Sequence, residues 1–592
     1  MAEYNAALRR HAGSKQLQYA ASKHFANNHM KPADPTLART GGQLIVDALK
    51  GHGVDMVFGV PGESYLSVLD AFYESREQIK FVICRQEGGA ANMADAYGKL
   101  TGRPGICFVT RGPGATNASI GIHTAFQDST PLILFIGQVD NEVAEREAFQ
   151  EIDYRRMYGQ MAKWVAQIDR PERVPEMISH AFHLAVSGRP GPVVLALPED
   201  MQTATATVAD TARYQRVAAH PGAADMNRLR DMLAQSKRPF VMLGGGGWNA
   251  KACEDIRAFI EINNLPTACA YRCQDLLDNR SPNYLGDIAV GMNPAIEKRI
   301  RECDLLLAIG LRLGEWTTIN YTLIDIPRPK MKFVHVHAGA EELGRVYQAD
   351  ILINSGMPEF AAAARALAAV KPAWADQTQA ARAEFDAWQV PVKVPGALNM
   401  SEVVAFLKKR LPPEAIITNG AGNFTLWVHR FYQYTGFRTQ LGPTSGAMGY
   451  GVPSGVAAKL VHPERPVIAF AGDGDFMMNG QELATAMQYG AKTIFIVVNN
   501  GMFGTIRMHQ ERHYPGRISG TELHNPDFAA LARAYGAHGE VVTRTEDFEA
   551  AFERAWNART AALLELRIDP DSVSPRATLS SIRAEALKNV KK

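Results

Sequence analysis

Short apolar runs alternate with longer segments of helical spacing over most of the chain. In the first third of the chain, such runs lie at residues 57–60, 81–84, 106–109, 132–136 and 193–197. Continuous apolar runs of this length are typical of parallel strands that are buried on both faces. Since strands that alternate with helices form βαβ units, the pattern predicts the α/β class, with parallel sheets covered by helices.

The same alternation continues through two further units, which predicts three α/β domains. Apolar runs recur at residues 239–243, 305–310 and 333–336, and again at 467–470 and 493–498. A chain of 592 residues is long enough for three domains that each bury a core. The first and third units can share a fold without visible sequence similarity. We predict an arm at residues 1–37, domains at 38–205, 206–375 and 376–592, and a linker helix within the Ala-rich segment 361–388.

Composition and charge exclude several classes of protein. The hydrophobic content is 46% and the charged content 21%, which is typical of a soluble globular protein. A net charge of +2 gives no reason to expect nucleic acid or an anionic membrane as a partner. The six cysteines are scattered without metal-like pairs, so we expect a reduced, cytoplasmic protein with small buried thiols. No apolar run approaches the ~20 residues that a membrane span needs.

Residues 1–37 differ from the rest of the chain. They are rich in basic residues and lack the apolar core of a secretory signal. We expect a helical arm that packs at a subunit interface, with a transit peptide as the alternative.

The segment from residue 472 to residue 500 carries the most informative pattern. The sequence GDG begins at Gly472, directly after an apolar run, and Asn-Asn ends the segment after the next run. The residues between them have helical spacing at 479–489 and return the chain to the second strand. We expect Gly472 and Gly474 to allow a tight turn and a close approach of the backbone to a ligand.

Oxygen-bearing groups follow both of these predicted strands. Asp473 offers a carboxylate, Asn500 an amide oxygen, and Met502 a nearby backbone carbonyl. The two ends of a crossover unit converge at the carboxyl edge of a parallel sheet, where ligands of α/β folds bind. These groups form the partial oxygen shell that Mg²⁺ prefers, with room for phosphate oxygens and water. The alternative interpretation is an ordinary βαβ turn with a polar Asn at a strand end.

This pattern resembles the signature of thiamine diphosphate (ThDP) enzymes. An upstream segment agrees with it: a predicted strand ends at Cys84, Glu87 follows, and a helix of small residues begins. The segment is similar to the Glu-bearing segment of the acetolactate synthase and pyruvate oxidase branch of that family. The resemblance makes Glu87 the catalytic acid/base, which would exchange a proton with the aminopyrimidine ring of the cofactor. A helix-start glutamate that the macrodipole favours is the alternative.

The resemblance extends over residues 38–575 or so and implies a pyrimidine-binding, a central Rossmann-like and a diphosphate-binding domain. It implies ThDP and Mg²⁺ as cofactors, and a homodimer or homotetramer with active sites at the subunit interface. Met448 occupies the position of the bulky residue under the bent cofactor. The implied cofactor contacts are Pro61, Pro113, Asn117, Gly422, Asn423, Phe424, Met448, Gly472, Gly474 and Asp475. The implied substrate contacts are Gln150, Trp316 and His509.

By motif, the chain resembles the large subunits of acetolactate synthases most. The stretches GAMG, AFQE, GPGATN and NGQELATA occur at residues 446–449, 148–151, 112–117 and 479–486. The implied reaction is decarboxylation of pyruvate and addition of the resulting two-carbon carbanion to a second 2-oxo acid. One alternative is a 2-oxo acid decarboxylase, or a carboligase of the benzaldehyde-lyase or 2-hydroxyacyl-lyase type with a different donor. A more remote alternative is a ThDP-fold protein without catalytic activity.

Some positions depart from the acetolactate synthase pattern. Trp316 stands where biosynthetic members carry an Arg that holds the acceptor carboxylate, and an indole does not replace a guanidinium fork. His509 aligns with a Trp of the mobile loop, Gln86 with a His, and Asp475 with a Ser beside the diphosphate. The residue types alone give no physical reason for Asp475. Together the changes predict a larger and more aromatic acceptor pocket.

Binding of FAD is left open. The acidic residues that bind the flavin in the family are absent, since the matching segments read VHVHAG at 334–339 and NSGM at 354–357. Gly310 and Arg312 of the same site remain, which leaves a weakly held or vestigial flavin as an alternative.

Overall fold

The computed structural model describes residues 37–289 and 291–590. Each of the three units holds a six-stranded sheet, and all neighbouring strands within these sheets run parallel. The α/β class predicted from the hydrophobic pattern is therefore confirmed. The predicted arm at residues 1–37 lies, except for its last residue, outside the described residues.

The first unit combines its parallel sheet with a short antiparallel pair. Its strands are β1 Arg39–Thr40, β2 Met56–Gly59, β3 Lys80–Ile83, β4 Gly105–Val109, β5 Leu132–Gln138, β6 Trp164–Gln167, β7 Pro192–Pro198 and β8 Thr205–Ala206. Its α-helices are Gly41–Gly51, Leu66–Glu74, Glu87–Thr101, Gly112–Asp128, Tyr154–Tyr158, Val174–Val186 and Glu199–Thr203. The order of the sheet is β3-β2-β4-β5-β7-β6, and β1 pairs with β8.

The second unit is the central one. Its strands are β9 Pro239–Leu243, β10 Thr267–Ala270, β11 Tyr284–Ile288, β12 Leu305–Ile309, β13 Lys332–His337 and β14 Ile351–Asn354. Its α-helices are Ala223–Gln235, Ala250–Ile262, Pro294–Glu302, Met357–Arg365 and Ala375–Trp388. The order of its sheet is β11-β10-β9-β12-β13-β14.

The third unit carries the GDG and Asn-Asn segments. Its strands are β15 Ile416–Asn419, β16 Gln440–Leu441, β17 Val467–Gly472, β18 Ile494–Asn499, β19 His538–Val542 and β20 Ala562–Arg567. Its α-helices are Met400–Arg410, Thr425–Phe431, Gly451–Val461, Asp473–Asn479, Glu482–Tyr489, Gly504–His513, Phe528–Ala534, Thr545–Trp556 and Leu579–Val590. The order of its sheet is β16-β15-β17-β18-β20-β19.

The first and third units share one topology. When the six strands of each parallel sheet are numbered along the chain, both sheets have the order 2-1-3-4-6-5. The central sheet has the order 3-2-1-4-5-6, as in a Rossmann fold. In the 2-1-3-4-6-5 sheets the order reverses between the first and third strands, and ligands of open α/β sheets bind beyond the carboxyl ends at such a point. The loops after β2 and β4, and those after β15 and β17, are therefore the expected ligand loops.

Strand β17 shows why the apolar runs form central strands. Residues 467–471 are buried, since β15 and β18 pair with the two edges of the strand and helices cover the faces of a parallel sheet. The predicted strand 493–498 is found one residue later, as β18. The single helix predicted at 479–489 is wrong in extent: one helix begins at Asp473, directly after the strand, and a second spans Glu482–Tyr489.

The first and third units pack directly against each other. The helix Glu87–Thr101 lies against the helix Gly451–Val461, and one hydrophobic cluster includes residues of both. At this contact the Tyr450 hydroxyl donates to Asp95 Oδ2 (2.6 Å), and Lys99 Nζ lies 2.8 Å from the same oxygen. The helix that begins with Glu87 is therefore anchored on the third unit of its own chain.

Two expectations concern the chain as a whole. All six cysteines are unpaired, and four of them are buried. Among the described residues, none of the helices combines the length and the apolar character that crossing a bilayer requires.

Candidate active site

The first half of the candidate site centres on Asp473, at the carboxyl edge of the third sheet. Asp473 is only 3% exposed. Its Oδ1 accepts a hydrogen bond from the N–H of Gly474 (2.9 Å), and its Oδ2 accepts from the N–H of Gly501 and from Asn525 Nδ2 (both 2.8 Å). Burial raises the pKa of Asp473, and these donors act in the opposite direction. A carboxylate has about four lone-pair sites, so the hydrogen bonds leave room for a cation.

The two asparagines of the Asn-Asn pair differ in their hydrogen bonds. Asn499 is fully engaged: its Nδ2 donates to Glu565 Oε1 (2.8 Å), and its Oδ1 accepts from the N–H of Gly501 (3.1 Å) and from Asn525 Nδ2 (3.0 Å). Asn500 is half-buried, and its Oδ1 accepts from the N–H of Met502 (3.3 Å). Met502 itself forms a β-bridge with Glu522. Asn499 therefore shapes the loop, and Asn500 is the amide available to a ligand.

The two glycines of GDG lie where β17 passes directly into the helix Asp473–Asn479. Gly472 has a φ of −76° and Gly474 lies inside the helix, so neither position needs the backbone freedom of glycine for a turn, and the close approach of a ligand stays a prediction. They are needed for close packing, because a Cβ on Gly474 would lie 2.5 Å from Phe503 Cε1 and one on Gly472 would lie 3.1 Å from Phe424 Cδ1. Bare backbone at both positions lets the helix start meet the neighbouring loops.

Asp475 joins two loops that the sequence assigns to the cofactor. Its side chain is buried at 2% exposure, and Oδ1 accepts from the N–H of Gly449 (2.7 Å) and of Ala421 (3.2 Å). Oδ2 is buried without a hydrogen-bond partner among the described residues, and burial raises the pKa of Asp475 to about 7. The structure thus supplies a reason for an acceptor oxygen at this position, since Oδ1 ties the loop after β15 to the loop that carries Met448.

The loops held by Asp475 border the crevice at the reversal of strand order. Gly422 has a φ of +153°, and Asn423 Oδ1 accepts from Thr505 Oγ1 (3.0 Å). Phe424 is buried beside the bare backbone of GDG. Met448 is half-buried in a loop that needs Gly446 and Gly449 at its ends, with φ of +68° and +81°. Met448 is therefore the flexible apolar side chain in a loop that depends on glycine at both ends.

The second half of the candidate site centres on Glu87, at the carboxyl edge of the first sheet. Glu87 is half-buried as the first residue of its helix, and its Oε2 accepts from Asn117 Nδ2 (2.9 Å). Gly114 lies close enough that a Cβ there would be 3.4 Å from Glu87 Oε1. Gln86 caps the helix, since its Oε1 accepts from the N–H of Gly89 (3.0 Å).

Pro61 and Pro113 lie on either side of the reversal of strand order in the first sheet. Both are exposed: Pro61 lies in the loop after β2, and Pro113 lies in the first turn of the helix that follows the loop after β4. Those loops contact each other where Ser64 and Thr110 share a hydrogen bond of 2.9 Å between their hydroxyl oxygens. The structure therefore brings Pro61, Glu87, Pro113 and Asn117 to one edge of the sheet.

Gln150 approaches the same loops through strained backbone. Its φ is +63°, and a Cβ on Gly112 would lie 2.7 Å from the Gln150 carbonyl oxygen. Glu145 and Glu147 also have positive φ, at +63° and +54°. Non-glycine residues hold this conformation only when the surroundings over-determine it, and such residues cluster at functional sites.

Two predicted substrate residues form no hydrogen bond with either half of the site among the described residues. Trp316 is 49% exposed and stacks on Tyr271, with ring centroids 6.2 Å apart, at the wall of a cavity of about 700 Å³ between the three units. His509 is exposed on the helix Gly504–His513 and stacks on His513. Among the described residues, no hydrogen bond joins Glu87 or Asn117 to the Asp473 half.

Sequence reasoning missed two residues that the structure brings to the site. Asn525 bridges Asp473 and Asn499, but its only signal was the following proline, which marks a turn and not a partner. Glu482 lies in the NGQELATA stretch and accepts hydrogen bonds from the N–H groups of Arg85 and Gln86. A helical pattern predicts which face of a helix is buried but does not identify a contact from another unit.

The two segments where flavin-binding acids would lie form hydrogen bonds within and between themselves. His337 Nδ1 lies 3.0 Å from both the nitrogen and the oxygen of Gly339. Asn354 Nδ2 donates to the carbonyls of His337 and Ala338 (both 3.0 Å). Neither segment offers an acidic side chain to a ribose.

Family models match all three units. A model described as the N-terminal TPP (thiamine pyrophosphate) binding domain of thiamine pyrophosphate enzymes matches residues 39–157. The model of the central domain matches 226–364, and that of the C-terminal TPP binding domain matches 420–566. Thiamine pyrophosphate is another name for ThDP, and these models give FAD no support.

Relatives of similar length are acetolactate synthases. The large subunit of isozyme 2 from Escherichia coli (strain K12) is 31% identical over 563 residues, covering 93% of this chain and 100% of that protein. The large subunit from Corynebacterium glutamicum is 32% identical over 537 residues, covering 87% and 84%. A probable large subunit from Methanocaldococcus jannaschii is 30% identical over 558 residues, covering 90% and 93%. The chain therefore belongs to the thiamine pyrophosphate enzyme family, is similar to acetolactate synthase large subunits, and is a ThDP-dependent enzyme.

Proposed function

We propose that the enzyme is a Mg²⁺- and ThDP-dependent carboligase that decarboxylates pyruvate and joins the remaining two-carbon unit to a second 2-oxo acid. The observation that carries the proposal is that Asp473 and Asn500 follow the adjacent parallel strands β17 and β18 and that the Gly501 N–H donates to Asp473 Oδ2, beside loops of bare backbone. The names of the relatives support the choice of acetolactate synthase chemistry over other reactions of the family.

The residues present fit a magnesium diphosphate group. Asp473, Asn500 and the carbonyl of Met502 would hold the Mg²⁺, because they offer one carboxylate and two neutral oxygens. The backbone of residues 422–424 and the start of the helix Asp473–Asn479 would meet the diphosphate. The Asp475 carboxyl fixes two of these loops through Ala421 and Gly449.

In this proposal Glu87 moves protons and Met448 sets the shape of the cofactor. Bound ThDP supplies a carbon nucleophile and an electron sink for the decarboxylation of 2-oxo acids. Glu87 exchanges a proton with the aminopyrimidine ring, while Asn117 orients the Glu87 carboxyl through Oε2. Met448 would supply an apolar contact to the cofactor, and Gln150 would contact the substrate.

We also propose that a second copy of the chain completes each site. In this proposal Glu87 and Asp473 contact the same cofactor, but within one chain they lie at the carboxyl edges of two different sheets. Apolar side chains are exposed beside both halves: Ile83 and Ile120 near Glu87, and Met477 and Met478 after Asp473. Burying such patches against a second copy would stabilise a homodimer or homotetramer.

Co-expression of two inactive variants tests this arrangement. A Glu87→Gln chain paired with an Asp473→Ala chain would contain one intact site and one doubly altered site. If sites form between chains, the mixture should recover about a quarter of the wild-type activity, since half of the pairs are mixed and each mixed pair has one of two sites intact. A mixture without activity would contradict shared sites.

The reaction itself is tested with pyruvate. We would incubate the protein with ThDP, Mg²⁺ and pyruvate and follow the products by proton NMR. Acetolactate is the expected product, and acetaldehyde or unconsumed pyruvate despite bound ThDP would contradict the proposal. Acetaldehyde would favour a 2-oxo acid decarboxylase, and unconsumed pyruvate would favour a 2-hydroxyacyl lyase or another carboligase with a different donor. The exposed indole of Trp316 in place of a guanidinium also favours these alternatives.

Trp316 and His509 stay in the proposal as acceptor contacts. A Trp316→Arg variant should shift acceptor preference toward small 2-oxo acids, because a guanidinium binds the acceptor carboxylate in two hydrogen bonds. FAD is not part of the proposal, since the segments around His337 and Asn354 hold no acid for its ribose.

A further inference from the structure

The helix Glu482–Tyr489 connects the two halves of the candidate site within one chain. It is the crossover between β17 and β18, so it follows Asp473 and precedes Asn499. It lies beside β3, the edge strand of the first sheet, which leads into the helix that begins with Glu87. An edge strand presents backbone groups without ladder partners, and these groups must be satisfied from elsewhere.

Side chains of this helix supply those partners. The Tyr489 hydroxyl accepts from the N–H of Ile83 (2.8 Å) and donates to the carbonyl of Phe81 (3.2 Å). Two turns earlier on the same helix, Glu482 Oε1 accepts from the N–H of Arg85 and of Gln86, both at 3.0 Å. The polypeptide from β3 to Glu87 is therefore held by hydrogen bonds from the third unit.

The surroundings of Glu482 leave it little freedom. It is 0% exposed, and its Oε2 accepts from Thr485 Oγ1 (2.6 Å). A Cβ on Gly89 would lie 2.5 Å from Glu482 Oε1, so the first turn of the Glu87 helix has no side chain where the carboxyl sits. Carboxylate acceptors form stronger hydrogen bonds with N–H groups than neutral acceptors do. Glu482 makes no hydrogen bond to the Glu87 side chain among the described residues.

We infer that Glu482 is a positioning residue for Glu87: its carboxyl fixes the backbone of residues 85–86 and so the direction in which the Glu87 side chain leaves the helix. This inference rests on the proposed function of Glu87. The Glu87 carboxyl lies several bonds from the backbone. A small rotation of residues 85–86 therefore becomes a larger displacement of the carboxyl, away from the aminopyrimidine. A misplacement of about 1 Å can lower a rate about 100-fold.

Three substitutions separate reach, charge and bulk at this position. Glu482→Asp keeps the charge but is one methylene too short to reach the N–H groups of Arg85 and Gln86. Glu482→Gln keeps the reach and the acceptor oxygen without the charge, and Glu482→Ala removes all three. Gln488→Ala is the matched control, because Gln488 lies on the same helix and accepts from the Arg85 guanidinium, not from the backbone. Glu87→Gln is the reference for loss of the proton carrier.

The first measurement is the rate at which bound ThDP exchanges its C2 proton for deuterium, followed by NMR, with ThDP affinity measured by calorimetry. We expect Glu482→Asp and Glu482→Ala to slow the exchange by up to about 100-fold, with ThDP affinity unchanged. Glu482→Gln and Gln488→Ala should exchange at the wild-type rate. If Glu482→Gln is as slow as Glu482→Asp, the charge and not the positioning matters, and the inference is overturned.

The second measurement needs no cofactor. Amide hydrogen exchange of the peptide around residues 82–92, followed by mass spectrometry without ThDP, should be about tenfold faster in Glu482→Asp than in wild type, because two buried N–H groups lose their acceptor. Equal protection in the two proteins would overturn the inference. Circular dichroism identifies any variant that does not fold, and the Asp and Gln variants decide the question if Glu482→Ala does not.

The reference variant distinguishes the two levels of the argument. If Glu87→Gln slows the C2 exchange but Glu482→Asp and Glu482→Ala do not, the positioning role alone fails. If Glu87→Gln leaves the exchange unchanged, the proposed role of Glu87 fails, and the positioning role fails with it.

Discussion

The first and third units are built on the same sheet topology, yet they hold their carboxylates in opposite ways. Both sheets have the order 2-1-3-4-6-5. Asp473 of the third unit is buried and receives three N–H donors, whereas Glu87 of the first unit is half-buried and receives one, from Asn117. Three N–H donors fix the orientation of the Asp473 carboxyl, which suits the proposed metal ligand, and a single donor leaves lone pairs of the Glu87 carboxyl for the proposed proton exchange.

The environment of each carboxylate depends on the position of the preceding strand in its sheet. Glu87 follows the edge strand β3, and Asp473 follows the inner strand β17. An inner strand is enclosed by neighbours, so its end is buried. An edge strand depends on another unit for partners, which the helix Glu482–Tyr489 supplies here. One topology therefore yields two environments, because function depends on loops and neighbours more than on fold.

Loss of the fixed charge should have the largest effect. Asp473→Ala should weaken Mg²⁺-dependent ThDP binding by more than about 100-fold, since changes to mere outer-shell partners already cost 10–100-fold. Calorimetry with ThDP and Mg²⁺ measures this. Asp527→Ala is the control, because Asp527 also lies in the third unit but only caps a helix, accepting from the N–H of Ala530 (2.8 Å). Unchanged affinity in Asp473→Ala would remove Asp473 from the metal site.

Loss of the proton carrier should affect turnover but not binding. Glu87→Gln should lower kcat about 10²–10⁴-fold, which is the usual contribution of a general acid–base group. ThDP affinity should stay near the wild-type value, because the metal half of the site lies on another edge. Steady-state kinetics together with calorimetry separates the two effects. Full activity in this variant would mean that Glu87 is not the proton carrier.

The loops tied by Asp475 should respond to a smaller degree. Asp475→Leu leaves the N–H groups of Ala421 and Gly449 without an acceptor, and we expect ThDP affinity to fall about tenfold, because two N–H groups that fix the loops lose their partner. Asp475→Asn keeps an acceptor oxygen without a charge beside the diphosphate, so it should bind ThDP at least as tightly as wild type. Weaker binding by the Asn variant would mean that the charge itself is required.

The smallest expected effect concerns the helix that follows the loop of Asn500 and Met502. Glu511 on the helix Gly504–His513 is bonded by the Arg583 guanidinium of the C-terminal helix, which lowers the pKa of Glu511 to about 2. Because this pKa lies below its value of about 4.5 in the unfolded chain, the pair stabilises the folded state above pH 4.5, and that stability is lost as the pH falls toward 2.

Replacing the arginine tests this pair. Arg583→Met should lower stability at pH 7 by about 1 kcal/mol, since Arg583 is partly exposed, and should make the loss between pH 5 and 2 less steep. Thermal melting as a function of pH measures both. Arg554→Met is the control, because Arg554 of the helix Thr545–Trp556 forms an exposed pair with Glu540 of β19. Identical acid profiles for wild type and Arg583→Met would contradict the assignment.

Several parts of the site could be predicted because their signals are local. The strands before Asp473 and Asn500 are apolar runs, and the carboxyl ends of adjacent parallel strands meet at one edge. The role of Asp475 could not be predicted, because its partners Ala421 and Gly449 precede it by 54 and 26 residues. The reason for Gly474 was also hidden, since contact with Phe503 depends on where another loop packs.

The sequence by itself determined the α/β class and the family, since these depend on hydrophobic periodicity and on short motifs such as the one from Gly472 to Asn500. Only the tertiary structure decided that Asn525 orients Asp473 and that Glu482 holds the approach to Glu87. The physical reason is that periodicity records which face of an element is apolar, whereas hydrogen bonds between distant elements depend on how those faces pack together in three dimensions.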